Sequence, residues 1–318
     1  MKWAGRQVAG QLYRSPLAMG IRRQIRSIAL GLFATAILIP FGLLDAQQPT
    51  EIEKKMKSRS PHWDPPDVDA PFHSHSSSPP CELSSVLGQA EARAQDLITN
   101  LQNFTAQERI KYVQISNLSR FLDGDQGAFD YTAVLMQHPG GLAVQESRMP
   151  EHGSHLFPAS TQDVGLPEMA LIFGPDLEGD YEMKCDGSAD WNGQATWVVH
   201  FQQRRDKQSH TVSFGGKDAV HPAKLKGRAW IAQDSGEVMH LETGLLEALP
   251  AIHVREWYLS IDYAPVQFHT KDVRVWLPQS VDAYCDYGGY RTIIYHTFTN
   301  FLLFSVRTNQ DLDETKKP

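Results

Sequence analysis

The sequence predicts an α+β fold: a large curved antiparallel sheet with an N-terminal amphipathic helix and a short helix on its concave face. Three observations predict it. Residues 254–263 alternate, with Trp257, Leu259, Ile261 and Tyr263 on one side and Glu256, Tyr258, Ser260 and Asp262 on the other, the period of a half-buried antiparallel strand. Residues 82–101 bring Leu83, Val86, Leu87, Ala90, Ala94, Leu97, Ile98 and Leu101 round at three- and four-residue steps, the stripe of an amphipathic helix that needs a surface to cover. Between 105 and 307, strand-like runs follow one another with turn signals and almost no helix among them, which argues against parallel βαβ units.

From the N-terminus, Arg22, Arg23 and Arg26 precede an apolar run at 28–44, and Leu44-Asp45-Ala46 offers a cut after Ala46. This is the layout of a secretory signal. The alternative is an uncleaved inner-membrane anchor, although Pro40 and Gly42 interrupt the run and it falls short of the roughly 20 residues that span a bilayer. Met19, directly before the arginines, is an alternative start to Met1. Residues 47–81, rich in proline and serine, read as a disordered linker. The expected organisation is therefore 1–46 signal or anchor, 47–81 linker, 82–307 the α+β domain, and 308–318 a charged, frayed tail.

Within the domain, strands are expected at 109–116, 129–136 and 141–148. Residues 167–173 (PEMALIF) read as a short helix with proline in its first turn, stopped by Gly174-Pro175. Strands at 179–185 and 195–202 are joined through Asn192-Gly193, a hairpin signal. Residues 227–232 and 237–242 form a hairpin across Gln233-Asp234-Ser235-Gly236, whose residue types suit a tight turn. Strands at 266–269, 273–277, 280–286, 291–298 and 301–307 complete the sheet, with a turn at Tyr287-Gly288-Gly289-Tyr290.

The chain has 30 basic and 37 acidic side chains, a net charge of −7, and loss of the arginine-bearing leader makes the remainder more acidic. Nucleic acid, which needs a positive footprint, is disfavoured as a partner. Of three cysteines, Cys185 and Cys285 fall in expected strands and are the candidate disulfide pair, leaving Cys81 free in the linker; the alternative is that both are small buried apolar residues. No CxxC or zinc-ligand spacing occurs, and His73 and His75 beside Asp67 and Asp69 read as solvated linker. The motifs GxSxG, GxGxxG, HExxH, the Walker loop and the EF-hand loop are absent. Gly215-Gly216-Lys217 opens no helix, and Glu168 and Asp262 read as solvent-facing charges. No cofactor is expected, and the chain is read as a non-enzyme.

The aromatic residues are the better lead to a site. Trp257, Leu259, Ile261 and Tyr263, with Met169, Ile172 and Phe173 of the short helix and Trp230 and Trp276 if their strand faces agree, form the candidate lining of an apolar cavity. The alternative is a closed core that the helices plug permanently.

The order of elements, together with GRAWIAQDSGEVMHLE (227–242), LSIDYAPVQF (259–268) and VWLPQSV (275–281), resembles the bacterial outer-membrane lipoprotein-sorting proteins of the LolA/LolB-like superfamily. The resemblance covers about residues 83–307, and the linker and the segment 139–165 are additions to it. It implies an incomplete barrel around helices, a periplasmic location, and acyl chains of a lipid or lipoprotein on the concave face. Other members imply a periplasmic sensor that binds an envelope protein partner. Inner-membrane contact follows only if the leader stays uncleaved.

Overall fold

The computed structural model describes residues 63–304 apart from 75–79, 102, 139–140, 155–156, 158–165, 210, 216–219 and 269–271. The chain divides into two compact units, Met1–Gln48 and Pro49–Pro318, and every described residue belongs to the second. The expected leader, the linker up to 62 and the charged tail lie outside the described residues.

One helix, α1 (Leu83–Asn100), matches the periodic stripe: Val86, Ala90, Ala94 and Leu97 are its buried residues. It ends where the Leu101 amide donates to the Leu97 carbonyl, and Leu101 itself is fully buried. Two of the four buried positions are alanines, so the helix lies close to whatever it covers. A Cβ placed on Gly174 would sit only 3.4 Å from the Ala94 Cβ.

Ten strands form one antiparallel sheet: β1 (Asn103–Ser116), β2 (Phe121–His138), β3 (Gly141–Pro150), β4 (Tyr181–Trp191), β5 (Gln194–Gln203), β8 (Leu225–Ala232), β9 (Val238–Leu245), β10 (Val254–Phe268), β11 (Val273–Tyr287) and β12 (Tyr290–Leu303). Their order is β3-β2-β1-β12-β11-β10-β9-β8-β5-β4, and a separate pair, β6 (Val212–Gly215) and β7 (Val220–Ala223), forms a second small sheet. The sheet is curved and does not close, since β3 and β4 are its two edges. The strands are longer than the sequence suggests. Runs expected to break at Pro265 and Pro278 are continuous, and the register of β10 on β11 shifts between Asp262 and Tyr263, opposite Pro278. A bulge there lets a long strand carry a residue without an N–H.

The topology explains the short helical segment. After β3 at one edge, the chain must cross to β4 at the other, and it carries Leu166, Met169, Leu171, Ile172 and Phe173 buried along the way. Residues Pro167–Phe173 form a 3₁₀ segment lying with α1 on one face of the sheet, here the inner face. Phe157, earlier on the same crossing, packs edge-on against Tyr112 and Phe129.

The outer face is covered by a segment expected to be a tether. Residues 63–74 lie across it: Trp63 packs against Tyr258 and Tyr284, Val68 is buried with them, and Asp69 accepts from Lys226 and sits 2.8 Å from His200 Nε2. Further on, the Arg228 guanidinium donates to the Ala70 carbonyl and lies over the Phe72 ring. Ser74 then passes Gly187, whose φ is +132° and where a Cβ would come within 2.3 Å of the Ser74 Cβ. Composition misleads here because the few apolar residues of this stretch find partners far away in sequence. The expected cysteine pairing also fails. Cys81 bonds Cys185, with Cα atoms 6.3 Å apart, and Cys285 takes no part in the disulfide. The segment reaches the edge strand β4 where Ser74 meets Gly187, two residues from the Cys185 that bonds Cys81.

Candidate ligand-binding face

The inner face is apolar along most of its width and encloses one buried charged cluster. On β10, Trp257, Leu259, Ile261 and Tyr263 all face inward and join the main core with Met169, Ile172 and Phe173. Exposure along the strand follows the alternation expected from sequence. Trp276 is half-buried and packs on the rim of the same core. Trp230 is not on this face. Its neighbours Ala229 and Ile231 enter the core, and strand parity sends Trp230 outward, where it meets Trp191 and His240 at ring-centroid distances of 5.3 and 4.9 Å.

Between α1 and the sheet lies a cleft of about 50 Å³, bordered by Ala90, Ala94 and Leu97 on the helix, Ala170 on the 3₁₀ segment, and Val238 and Tyr263 below. Small-molecule pockets run to roughly 300–1,000 Å³, so in this conformation the face is closed. The buried Tyr263 hydroxyl lies in this region beside the Ala170 backbone, and burial drives its pKa up.

The rim of the cleft is polar. Arg93 Nε donates to the Ser235 carbonyl at 2.9 Å and Nη1 pairs with Asp96 at 2.8 Å. Glu237 lies 3.9 Å from Arg93. Burial pushes the Glu237 carboxyl up to about 7, with Asp96 adding to the shift and Arg93 and Arg274 opposing it. The helix thus rests on the β8–β9 turn through a side chain that changes charge near neutral pH.

Toward β1, β2 and β12 the inner face stays apolar, with Phe104, Ile110, Phe129 and Ile294 in the same core, but it encloses one buried charged cluster. The Glu108 carboxylate accepts two bonds from Arg148, at 2.6 and 3.2 Å, and lies 2.7 Å from His296 Nδ1. Glu108, His296 and the Arg148 side chain are all buried. Burial alone would raise the Glu108 pKa; the His296 hydrogen bond and the Arg148 charge outweigh it and hold the carboxyl below its usual value. The Tyr131 hydroxyl donates to Glu146, and Arg148 lies over the Tyr131 ring. This network pairs its charges with one another inside the core.

No catalytic pair emerges from Asp262, which is not a solvated charge. It lies on the outer face, 2.8 Å from His240 Nδ1, and accepts from the Ser280 hydroxyl at 3.0 Å. The hydroxyl bonds the carboxylate and not the imidazole, so these three side chains lack the serine–histidine–aspartate order of a nucleophilic triad. Among the described residues no group of three His, Cys, Asp or Glu could hold a metal ion. Of the residues read as solvated linker, Asp69 is engaged with His200 and Lys226 and His75 lies outside the described residues. The side chain of Glu168 and residues 216–217 also lie outside them. Sequence reasoning missed Arg93, Glu237 and the Glu108 network; an arginine on the helix one step from the alanine stripe was the one available signal.

No family model matches the chain, and no curated protein matches it. Among solved structures the chain is similar to a DUF1329 family protein from Desulfovibrio piger, at a TM-score of 0.36 and 9% identity over 69% of this chain and 92% of that one. It is likewise similar to a putative outer membrane lipoprotein-sorting protein domain from Vibrio parahaemolyticus, at a TM-score of 0.36 and 11% identity over 73% of this chain and 96% of that one. Likeness at that level carries no argument about ligand or partner.

Proposed function

We propose that the protein is an exported, non-enzymatic carrier or receptor that takes a lipid or lipoprotein acyl chain between α1 and the inner face of β8–β11. The observation that carries this reading is the cleft beneath α1. An apolar sheet face is covered there by a helix with a cleft of about 50 Å³ beneath it and a polar latch at its rim. A helix meant only to plug a core would fill that space with larger side chains. The ligand enters when α1 lifts; each buried methylene contributes about 0.8 kcal/mol, and the closed state keeps the apolar face from water between loads.

A second reading is an envelope sensor that binds a protein partner. It draws on the strand β3, which has no neighbour on its outer side in the sheet and is a site where an extended chain could add.

Native mass spectrometry of the protein purified from an exporting bacterial host, followed by organic extraction and lipid analysis, tests the carrier reading. A co-purifying acyl ligand that is lost in Ile172→Asp or Trp257→Asp, with the fold intact, supports it. A clean unliganded mass together with no uptake of a fluorescent fatty acid at micromolar concentration sinks it and leaves the partner-binding reading.

A further inference from the structure

At one end of the sheet the β1–β2 turn and the β11–β12 turn lie side by side, since Ser116 pairs with Tyr290 and the Asn117 amide donates to the Gly289 carbonyl. This end carries most of the large apolar side chains that the fold leaves in water: Leu118 is 83% exposed, Phe121 68%, Leu122 52% and Tyr287 40%. Tyr290 packs edge-on against Tyr287. Leucine and phenylalanine at a projecting tip with tyrosines behind it is the side-chain distribution of a membrane–water interface.

A second, independent feature points the same way. The first described residues, from Trp63 on, lie at this end. Trp63 packs on Tyr258 and Tyr284, Asp64 pairs with Arg291 at 3.1 Å, and Arg291 also donates to the Ser119 hydroxyl in the β1–β2 turn at 3.2 Å. One arginine therefore joins the incoming segment to the apolar tip. Upstream, residues 45–62 separate this point from the apolar run 28–44, a stretch that reaches at most about 60 Å when fully extended.

We propose that this end of the sheet is a membrane-contacting surface, in which Leu118, Phe121 and Leu122 enter the interface of a lipid bilayer while Tyr287 and Tyr290 sit at headgroup level. Several charges around it are paired within the fold, and Arg120 in the turn itself is a single cation and not a basic cluster. Arg255 pairs with Asp286 and Arg291 with Asp64, and the Tyr112 hydroxyl donates to Asp123. Contact is accordingly apolar and suited to zwitterionic lipid, without the salt sensitivity of a polybasic patch. It goes beyond the carrier reading and is independent of whether the inner face binds anything.

The test uses the full chain with Cys285→Ser, so that one introduced thiol carries an environment-sensitive fluorophore. Leu118→Cys places it at the tip and Asp234→Cys places it in the β8–β9 turn at the opposite end of the sheet. In phosphatidylcholine vesicles whose acyl chains are brominated, the label at 118 should lose most of its fluorescence and the label at 234 should keep it, at low and at high salt alike. Phe121→Asp combined with Leu122→Asp should abolish the quenching even where the chain still sediments with the vesicles. In the unmodified protein, the same vesicles should slow tryptic cleavage after Arg120. Equal quenching at both positions, or none at either, would overturn the proposal. So would shielding of the label at 118 that grows with protein concentration before any lipid is added, which would make the tip a contact between two copies.

Discussion

Arg93 on α1 donates to the main-chain carbonyl of Ser235, and one turn of helix earlier Gln89 packs directly on Gly236. A Cβ at Gly236 would lie 2.6 Å from the Gln89 Cβ and 2.9 Å from its carbonyl carbon, and its φ is +74°. Helix and turn therefore touch backbone to backbone, at a position that only glycine fills without strain. Gly236→Ala should weaken this contact by more than about 1 kcal/mol, seen as faster amide exchange along α1. Arg93→Ala should act in the same direction while leaving the turn itself intact. Unchanged exchange in both variants would mean the contact does not hold the helix.

Glu237 gives the same contact a pH dependence. Its folded pKa, about 7, lies above the ordinary glutamate value of about 4.3, so the folded state holds the proton more tightly than the unfolded chain. The stabilising contribution is fully present below about pH 4.3 and is lost as pH rises through about 7. Docking of α1 should be tighter at pH 5.5 than at pH 8, roughly the span over which this group titrates. Glu237→Gln should flatten that dependence. Exchange rates on α1, corrected for intrinsic pH effects, are the readout, and a dependence that survives Glu237→Gln would assign it to another group.

How much of this was legible in the sequence depends on how many faces of an element are covered. β10 alternates cleanly because its inner face is apolar and much of its outer face is polar, so Trp257, Leu259, Ile261 and Tyr263 could be read together. β8 is buried on both faces from Gly227 to Ala232, and nothing in the run GRAWIA says which way Trp230 points. The cover responsible is the segment 63–74 and Trp191, brought there by contacts such as Asp69 with His200 and Trp191 stacked on His240 at 3.9 Å. Such contacts join residues far apart in sequence and leave no local signature. The cysteine pairing failed for the same reason, since spacing says nothing about a chain that doubles back over a sheet. The Glu108 network was hidden by its own chemistry. A glutamate at an inward position reads as an irregularity in a strand until Arg148 and His296 are found beside it.

The network makes its own prediction. Removing one partner from a buried ion pair leaves the other charge uncompensated, which costs about 3–5 kcal/mol. Glu108→Ala should fall in that range in urea unfolding, and Glu108→Gln, which keeps a hydrogen-bond acceptor, should cost less. Because the folded-state pKa of Glu108 is depressed, its contribution is present above the unfolded value and is lost as pH falls through the folded one. The wild type should therefore lose stability in acid more steeply than either variant.

The Cys81–Cys185 bond ties the start of α1 to the edge strand β4, while the far end of the helix runs through the buried Leu101 into β1. A helix fixed at both ends cannot swing away as a flap; it can only bow or slide while the bond is intact. Reduction, or Cys81→Ser, removes one of the two attachments. Closing a loop of 104 residues contributes on the order of 4–5 kcal/mol in the chain-entropy model and often less in practice, so the reduced protein should unfold at lower urea. Under native conditions the two roles of the bond separate. If α1 is a movable cover, reduction should speed the uptake of a fluorescent fatty acid well before it unfolds the sheet, and faster exchange should be confined to α1 and the segment 63–74. If α1 is a permanent plug, reduction should lower global stability with no change in uptake, and exchange should rise through the sheet and the helix together.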